Sequence, residues 1–183
     1  MNKRPLLFAL VPLFLISFTT TALADTALPK KKQTSLGLYI TAQDAFDKWN
    51  TEQDAIKILD VRTPGEYVFV GHAGMATNIP FKLYKDKIDA KTMKPVMPIN
   101  ANFVDEVKKR FNETDTIMVM CRSGSRSAVA VNTLAKAGFK NVFNITDGFE
   151  GDKSKEGKRI VNGWKNSGAP WTYKLDPKLA YLP

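Results

Sequence analysis

The chain has very little cysteine or histidine: its 183 residues include one of each, Cys121 and His72. A single cysteine has no partner within the chain, so the fold is not held together by an internal disulfide framework. Hydrophobic residues make up 44% of the chain, which is enough for the core of one ordinary domain without disulfides or a metal. Cys121 is therefore either an apolar core thiol or a reactive group, and its neighbours decide between the two.

A hydrophobic run long enough to cross a membrane is also lacking. The apolar run at residues 6–18 is shorter than the roughly 20 residues that a transmembrane helix needs. It follows Lys3 and Arg4 and precedes Ala22-Leu23-Ala24, a small-x-small pattern typical of a cleavage site. We therefore predict a signal peptide over residues 1–24, with an uncleaved anchor as the alternative.

Cleavage ahead of Asp25 would leave an exported, soluble protein with no stable membrane span, most simply in a bacterial periplasm. The cleavage point has no cysteine, which excludes lipid attachment there. The removed segment carries Lys3 and Arg4 and no acid, so its loss lowers the formal net charge from +9 to +7. The remaining basic residues are scattered without interleaved aromatic residues, which argues against nucleic-acid binding and favours a general attraction for small anions.

Patterns typical of strands and helices alternate along the rest of the chain. A helical pattern starts at Thr41, and later patterns predict a turn at residues 63–65 and an excursion over the surface at residues 81–100. Further helices are expected at residues 103–111 and 127–138, and strands at residues 55–61, 76–79, 116–120 and 141–146. This alternation predicts an α/β fold with a central, mainly parallel sheet flanked by helices on both faces. We expect a loosely packed or flexible N-terminal arm at 25–35, the domain at 36–175 and a C-terminal tail at 176–183.

The single cysteine opens the segment CRSGSRS, between a buried strand and a helix. The segment consists of Cys121, Arg122, Ser123, Gly124, Ser125, Arg126 and Ser127. Sites in α/β sheets form beyond the carboxyl ends of strands, and a helix N-terminus there offers backbone N–H groups to an anion. Gly124 permits the tight curvature, while Arg122 and Arg126 add positive charge. A thiol in such surroundings loses its proton readily, so we predict that Cys121 is a thiolate nucleophile in an anion cradle.

Two classes of anion fit such a cradle. Cysteine phosphatases place five residues between the cysteine and the arginine, whereas only four, Arg122 to Ser125, separate Cys121 from Arg126. The smaller ring favours a compact target such as the outer sulfur of thiosulfate. A phosphatase or arsenate-type enzyme is the less favoured alternative.

Several short motifs, in this order, make the chain similar to single-domain rhodaneses, a family of sulfurtransferases. They are Ile58-Leu59-Asp60-Val61-Arg62, Glu66-Tyr67, Gly71-His72, Asn78-Ile79-Pro80, CRSGSRS, Gly138-Phe139, Asn141-Val142, Gly148, Trp164, Gly168 and Pro170. The resemblance covers residues 36–173. It implies that Cys121 takes a sulfane sulfur from a small anionic donor and passes it to a thiol or cyanide, with double-displacement kinetics. It also implies that residues 122–127 bind the donor and that no metal or organic cofactor is needed.

Three further residues are expected to support the site. Asp60 and Arg62 are expected to fix the neighbouring backbone, because buried charges are usually paired. The resemblance gives His72 a structural hydrogen bond rather than the role of a base. Two insertions, residues 81–100 and the segment EGDKSKEGKRIVNG, are hypothesised to border the site and to choose the acceptor or a protein partner. A carrier that a partner loads with sulfur, without turnover of free thiosulfate, is the second functional alternative.

Overall fold

The computed structural model describes residues 27–181, so the predicted signal peptide lies outside the described residues. The chain forms four α-helices and seven strands over this range. They are β1 (Tyr39–Ile40), α1 (Ala42–Thr51), β2 (Ile56–Asp60), α2 (Pro64–Phe69), β3 (Thr77–Asn78), β4 (Ile88–Asp89), β5 (Lys94–Pro95), α3 (Phe103–Lys108), β6 (Thr116–Met120), α4 (Ser125–Lys136) and β7 (Val142–Ile145). Single 3-10 turns lie at Lys30–Lys32 and Trp164–Asn166.

Five of the strands form one parallel sheet in the order β1-β7-β6-β2-β3. Its central strand β6 is buried on both faces, which explains why residues 116–120 read as a continuous apolar run. Ile117 and Val119 pack on one face with residues of α3 and α4, while Met118 and Met120 pack on the other with residues of α1. The predicted α/β fold with a mainly parallel sheet and helices on both faces is confirmed.

The predicted turn at residues 63–65 is wrong, because these residues begin α2. The Thr63 hydroxyl accepts a hydrogen bond from the Glu66 N–H, the Glu66 carboxylate accepts one from the Thr63 N–H, and Pro64 is the first helical residue. The first residue of a helix has no intrahelical acceptor for its N–H, so proline is tolerated there. Together with the reciprocal capping, this proline starts a helix at residues that otherwise favour a turn.

The described part of the predicted arm is packed rather than loose. The Lys32 side chain is buried and lies 3.0 Å from an oxygen of Asp152. The Lys32 carbonyl accepts a hydrogen bond from Asn144, and the N–H of Ser35 donates to Asn132 on α4. The segment before the sheet is therefore tied to both β7 and α4.

The excursion at residues 81–100 lies on the surface as predicted, but it contains an antiparallel ribbon formed by β4 and β5. Residues 84–95 are exposed throughout, whereas Phe81 and Asn100 at the base are buried. The tail also packs, since the Leu179 carbonyl accepts a hydrogen bond from the N–H of Asn78 at the sheet edge. Between residues 27 and 181, no helix combines the length and apolarity needed to cross a membrane.

Candidate active site

Cys121 lies directly after β6, at the carboxyl end of the central strand of the sheet. Its residue surface is only 2% exposed, yet it lines a pocket of about 270 Å³ together with residues of the loop that follows it. The position is the one expected from the sequence, since sites in parallel sheets form beyond the strand ends. The thiol is thus sheltered from solvent but open to a small molecule.

The loop after β7 holds the backbone of the cysteine loop from one side. The N–H of Phe149 donates to the Cys121 carbonyl at 2.7 Å, and the N–H of Glu150 donates to the Arg122 carbonyl at 2.9 Å. Gly148 makes this approach possible: its φ is +66°, and a Cβ there would lie 2.4 Å from the Cys121 carbonyl oxygen.

Gly124 fixes the opposite side of the loop. It precedes α4 with φ of +88°, and a Cβ at this position would lie 2.0 Å from the Thr146 carbonyl oxygen. The Gly124 carbonyl accepts hydrogen bonds from the side chain of Asn144 and from the N–H of Ala128. A side chain at residue 124 would therefore push the loop away from β7.

The backbone N–H groups of the loop remain available for a ligand. Those of residues 122–127 donate no hydrogen bond to any other residue in the described range 27–181. The first turn of α4 carries no acidic residue, and the positive end of the helix dipole points at the same place. The loop thus offers the unpaired N–H donors that an anion-binding loop needs, and anion binding at this loop stays a prediction.

Ser127 contacts the sulfur of Cys121. Its Oγ lies 3.4 Å from Cys121 Sγ and 2.6 Å from Asn144 Oδ1. Because Asn144 Nδ2 donates to the carbonyls of Lys32 and Gly124, Asn144 Oδ1 is the acceptor for the single hydroxyl proton of Ser127. Turning that proton toward Sγ would instead stabilise a thiolate. Asn144, which sequence reasoning missed, thus links the serine, the loop and the arm.

Arg126 lies at the pocket, but its charge is shared with an acid. Its Nη1 and Nη2 each donate to a carboxylate oxygen of Glu66 at 2.7 Å. Burial by itself would raise the pKa of Glu66, yet the hydrogen bonds and charge of Arg126, with hydrogen bonds from Thr63, lower it to about 2. Burial likewise opposes the charge of Arg126, but Glu66 raises the pKa of the guanidinium. Both partners therefore stay ionised, and Arg126 brings the loop less net charge than the sequence suggested.

Arg122 is the loop arginine whose charge is not balanced by an ion pair. It is exposed, and its side chain forms no ion pair with any residue from 27 to 181. It lines the Cys121 pocket and also a neighbouring groove of about 540 Å³, whose other wall includes Lys82, Lys94 and Met97 from the base of the ribbon. The hypothesis that the insertion at residues 81–100 borders the site agrees with this placement.

Asp60 and Arg62 form one buried ion pair beside the site. Arg62 Nη2 lies 2.7 Å from Asp60 Oδ2, and it also donates to the Gly71 carbonyl. The guanidinium of Arg62 lies 4.0 Å from the ring centroid of Phe149, whose N–H binds the Cys121 carbonyl. The pair is therefore placed to hold the backbone that supports the cysteine loop, rather than to touch a substrate.

His72 makes structural contacts. Its Nδ1 lies 3.1 Å from the Tyr67 carbonyl oxygen, its ring stacks on the Tyr67 ring at 3.8 Å, and its backbone pairs with Thr172. Among residues 27–181, no cluster of three or more histidine, cysteine, aspartate or glutamate side chains is arranged to hold a metal ion.

Comparison with known proteins agrees with this geometry. The family sequence model for the rhodanese-like domain matches residues 42–155 of this chain. The chain therefore belongs to the rhodanese-like family. It is 37% identical over 118 residues to an uncharacterized protein of Rickettsia prowazekii, RP600, covering 63% of this chain and 82% of the relative. It is 38% identical over 93 residues to thiosulfate sulfurtransferase 16, chloroplastic, of Arabidopsis thaliana, covering 51% of this chain and 70% of the relative.

A solved structure is similar over most of the described chain. The crystal structure of Rv0390 from M. tuberculosis superposes with a TM-score of 0.60 at 27% identity, covering 74% of this chain and 96% of that one. The family match and the sulfurtransferase-named relatives support a place for the chain among the sulfurtransferases. The family match does not include residues 27–41 or 156–181 of the described chain.

Proposed function

We propose that this protein moves a sulfane sulfur from thiosulfate, through a persulfide on Cys121, to a thiol or to cyanide. The observation that carries the proposal is the position of Cys121 in a pocket lined by Arg122, Ser123 and Ser125, with the loop N–H groups unoccupied by protein acceptors. A sulfonate needs hydrogen-bond donors and positive charge around it, and this loop supplies both.

The reaction has two displacements. In the first, the Cys121 thiolate attacks the outer sulfur of thiosulfate; the Sγ–S bond forms, the sulfur–sulfur bond of thiosulfate breaks, and sulfite leaves with the electron pair. In the second, the acceptor attacks the terminal sulfur, the new bond to the acceptor forms, and the Sγ–S bond breaks. The electron pair returns to Cys121, so the cycle needs no external oxidant or reductant.

The residues of the site have distinct roles in this proposal. The loop N–H groups and Arg122 hold the sulfonate of the donor and later the charge of the persulfide. Ser127 can turn its proton to Sγ and stabilise the thiolate that each displacement uses or restores. Glu66 holds Arg126 in place at the edge of the pocket.

A partner-loaded sulfur carrier is the second candidate, and the groove beside Arg122 favours it. That groove is about twice the volume of the Cys121 pocket, with Lys82 and Lys94 on its walls. Such a groove suits an anionic acceptor or donor larger than thiosulfate. In this version, persulfide forms only when the partner delivers sulfur.

Intact-mass measurement of the purified protein tests the proposal. Thiosulfate should add one sulfur atom to the wild-type chain, and cyanide should remove it, whereas Cys121→Ser should not change mass. A reduced Cys121 that reacts with alkylating reagents but never gains sulfur from thiosulfate would contradict the thiosulfate cycle and favour the carrier. Hydrolysis of a generic aryl phosphate would favour the phosphatase alternative.

We also propose that the reaction takes place after export, in a periplasm. The support is the predicted signal peptide at residues 1–24. Expression of the full chain in a Gram-negative host, followed by N-terminal sequencing of the periplasmic protein, should give Asp25 as the first residue. Recovery of the chain in the cytoplasm with Met1 intact would contradict export.

A further inference from the structure

Two cations at the mouth of the Cys121 pocket come from outside the part of the chain that defines the family. Lys31 precedes the family-matched residues 42–155, and Arg159 follows them, yet both side chains line the same pocket as Cys121 and Arg122. They reach the site from opposite ends of the domain sequence. Part of the pocket lining thus comes from segments outside the family-matched residues.

A network of contacts fixes these two segments beside the loop. Lys32, next to Lys31, is buried and pairs with Asp152 at 3.0 Å. Asp152 in turn accepts a hydrogen bond from the Asn162 side chain and donates its own N–H to Asn162 Oδ1 at 2.7 Å. The Lys32 carbonyl is held by Asn144, the same residue that holds Ser127. The segment carrying Lys31 is therefore anchored to the site rather than lying near it by chance.

Arg159 is anchored in a similar way. Its Nη1 donates to the carbonyl of Gly151, and its backbone pairs with Lys153 across a short turn. Its own carbonyl accepts a hydrogen bond from the Asn166 side chain. These contacts engage the backbone and one guanidinium nitrogen but leave the charge without an ion-pair partner among residues 27–181.

The charges around the pocket do not cancel. Glu66 offsets Arg126, whereas Arg122, Lys31 and Arg159 form no ion pair within the described chain. Two further acids lie near this group. Glu150 lines an adjacent cavity with Arg159, and burial raises its pKa. Asp152 also interacts with the charge of Arg159 but is paired with Lys32. With the pairs Arg126–Glu66 and Lys32–Asp152 counted as neutral, Arg122, Lys31 and Arg159 outnumber Glu150, which leaves a positive potential at the pocket.

We propose that Lys31 and Arg159 are specificity-determining residues that, together with Arg122, select small dianions for reaction at Cys121. This inference rests on the proposed function for the identity of the donor, because thiosulfate carries two negative charges. A dianion gains twice the electrostatic energy of a monoanion in the same potential, and a neutral molecule gains none. Lys31 and Arg159 thus raise the local concentration of the donor without touching the sulfur that is transferred.

Alkylation of Cys121 tests this potential without any sulfur chemistry. Iodoacetate is an anion and iodoacetamide is neutral, and both alkylate the same thiol. The rate with iodoacetate divided by the rate with iodoacetamide therefore reports the electrostatic potential at Sγ. We expect Lys31→Gln and Arg159→Gln each to lower this ratio about two- to fivefold, and the double variant to lower it further. In 1 M salt, where the screening length is about 3 Å, wild type and variants should converge.

Neighbouring lysines provide matched controls. Lys30→Gln and Lys158→Gln make the same change in net charge on the same two segments, at exposed residues that do not line the pocket. Arg159→Lys keeps the charge and should keep the ratio, which separates the loss of charge from the loss of the hydrogen bond to Gly151. Each variant is first checked for an unchanged unfolding midpoint.

The outcomes for the inference and for the proposed function are separable. A ratio that is unchanged in Arg159→Gln and Lys31→Gln, or lowered equally in Lys30→Gln and Lys158→Gln, would overturn the inference even if thiosulfate loads Cys121. A ratio that falls only in the two pocket variants would support selection of anions even if thiosulfate never loads. If loading occurs, the same two variants should raise the thiosulfate concentration that gives half-maximal loading rate.

Discussion

Single residues decide how close the loops around Cys121 can approach one another. Gly124 and Gly148 both have positive φ, and at both a Cβ would overlap backbone atoms of the neighbouring loop. These glycines are needed for two reasons at once, since the left-handed conformation disfavours other residues and the space is already occupied. The shape of the anion-binding loop therefore depends on the absence of side chains at two positions.

Gly124→Ala should destabilise the protein by about 3 kcal/mol or more, because left-handed strain adds to overlap with the Thr146 carbonyl. Gly157→Ala is the matched control: its φ is +80°, but a Cβ there would have no neighbour within 4 Å. We expect that control to cost only about 1 kcal/mol from the strain. Denaturant unfolding measures both, and equal losses would contradict the role assigned to close packing of the loop.

The sequence was sufficient to predict the position of Cys121 and its loop but not all the partners of that loop. The loop is a continuous stretch of chain that contains Cys121, Gly124 and the N-terminus of α4. Its chemistry could therefore be predicted from neighbouring residues alone. The acid that holds Arg126 lies 60 residues away, at Glu66. Asn144 is one polar residue in an apolar strand, and nothing in its local pattern indicates that it binds three other segments. These roles arise only when distant segments pack together.

At the scale of elements, the ion pair between Glu66 and Arg126 joins the first turn of α2 to the first turn of α4. The prediction missed α2 because a Thr-Pro-Gly sequence favours a turn and the helix has only six residues, of which only Tyr67 is buried. The signal that could have identified it is Thr63 followed three residues later by Glu66, the pattern of a capping box. By contrast, β6 was predictable from its continuous apolar run, and α4 was predictable from its helical periodicity.

Glu66→Gln should lower the free energy of unfolding by about 2 kcal/mol at pH 7, because it leaves Arg126 partly buried without its counter-charge. Glutamine can still accept the hydrogen bond from the Thr63 N–H, so the helix cap is kept. The pKa of Glu66 is about 2 in the folded chain and near its usual 4.5 when unfolded. The stabilisation is thus fully present above about pH 4.5 and is lost as the pH falls toward 2, since the unfolded chain takes up the proton first.

Denaturant unfolding of wild type and Glu66→Gln at pH 7, pH 4 and pH 2.5 measures this dependence. Glu52→Gln serves as the control, because Glu52 pairs with Lys48 on the exposed face of α1 and should change stability by no more than about 0.5 kcal/mol. An equal difference between wild type and Glu66→Gln at pH 7 and at pH 2.5 would contradict the assigned ion pair.

At the scale of the whole molecule, the family domain at residues 42–155 is completed by the segments that flank it. The segment before the sheet binds Asn144 and Asp152, and the segment after residue 155 supplies Trp164, which is fully buried against α1. The arm was predicted to be loose because its composition is polar, and a polar sequence does not reveal that the buried Lys32 pairs with Asp152, 120 residues away. Deleting residues 152–159 would therefore also remove Asp152, one of the anchors of the arm.

The β4–β5 ribbon contributes no residue to either hydrophobic core. Replacing residues 90–93, which join the paired residues Asp89 and Lys94, with Asn-Gly should change the free energy of unfolding by less than about 1 kcal/mol. The replaced residues are exposed, and they include Met93, which has a disfavoured φ of +51°. A two-residue turn can close the same strands, with Lys87 still bonded to Val96. Denaturant unfolding checks the stability and intact mass checks sulfur loading, which should continue; a loss of several kcal/mol would contradict this view of the ribbon.

The pattern of hydrogen bonds around the loop has a consequence for molecules that compete with the substrate. The carbonyl oxygens of Cys121, Arg122 and Gly124 all accept bonds from neighbouring segments, while the N–H groups of residues 122–127 have no protein acceptor within residues 27–181. The backbone of the loop therefore offers hydrogen-bond donors and few hydrogen-bond acceptors to a bound molecule. An ammonium-bearing metabolite of the same size as thiosulfate would lose hydrating water there and find few backbone acceptors, so we expect it to be disfavoured by unsatisfied hydrogen bonds as well as by its charge.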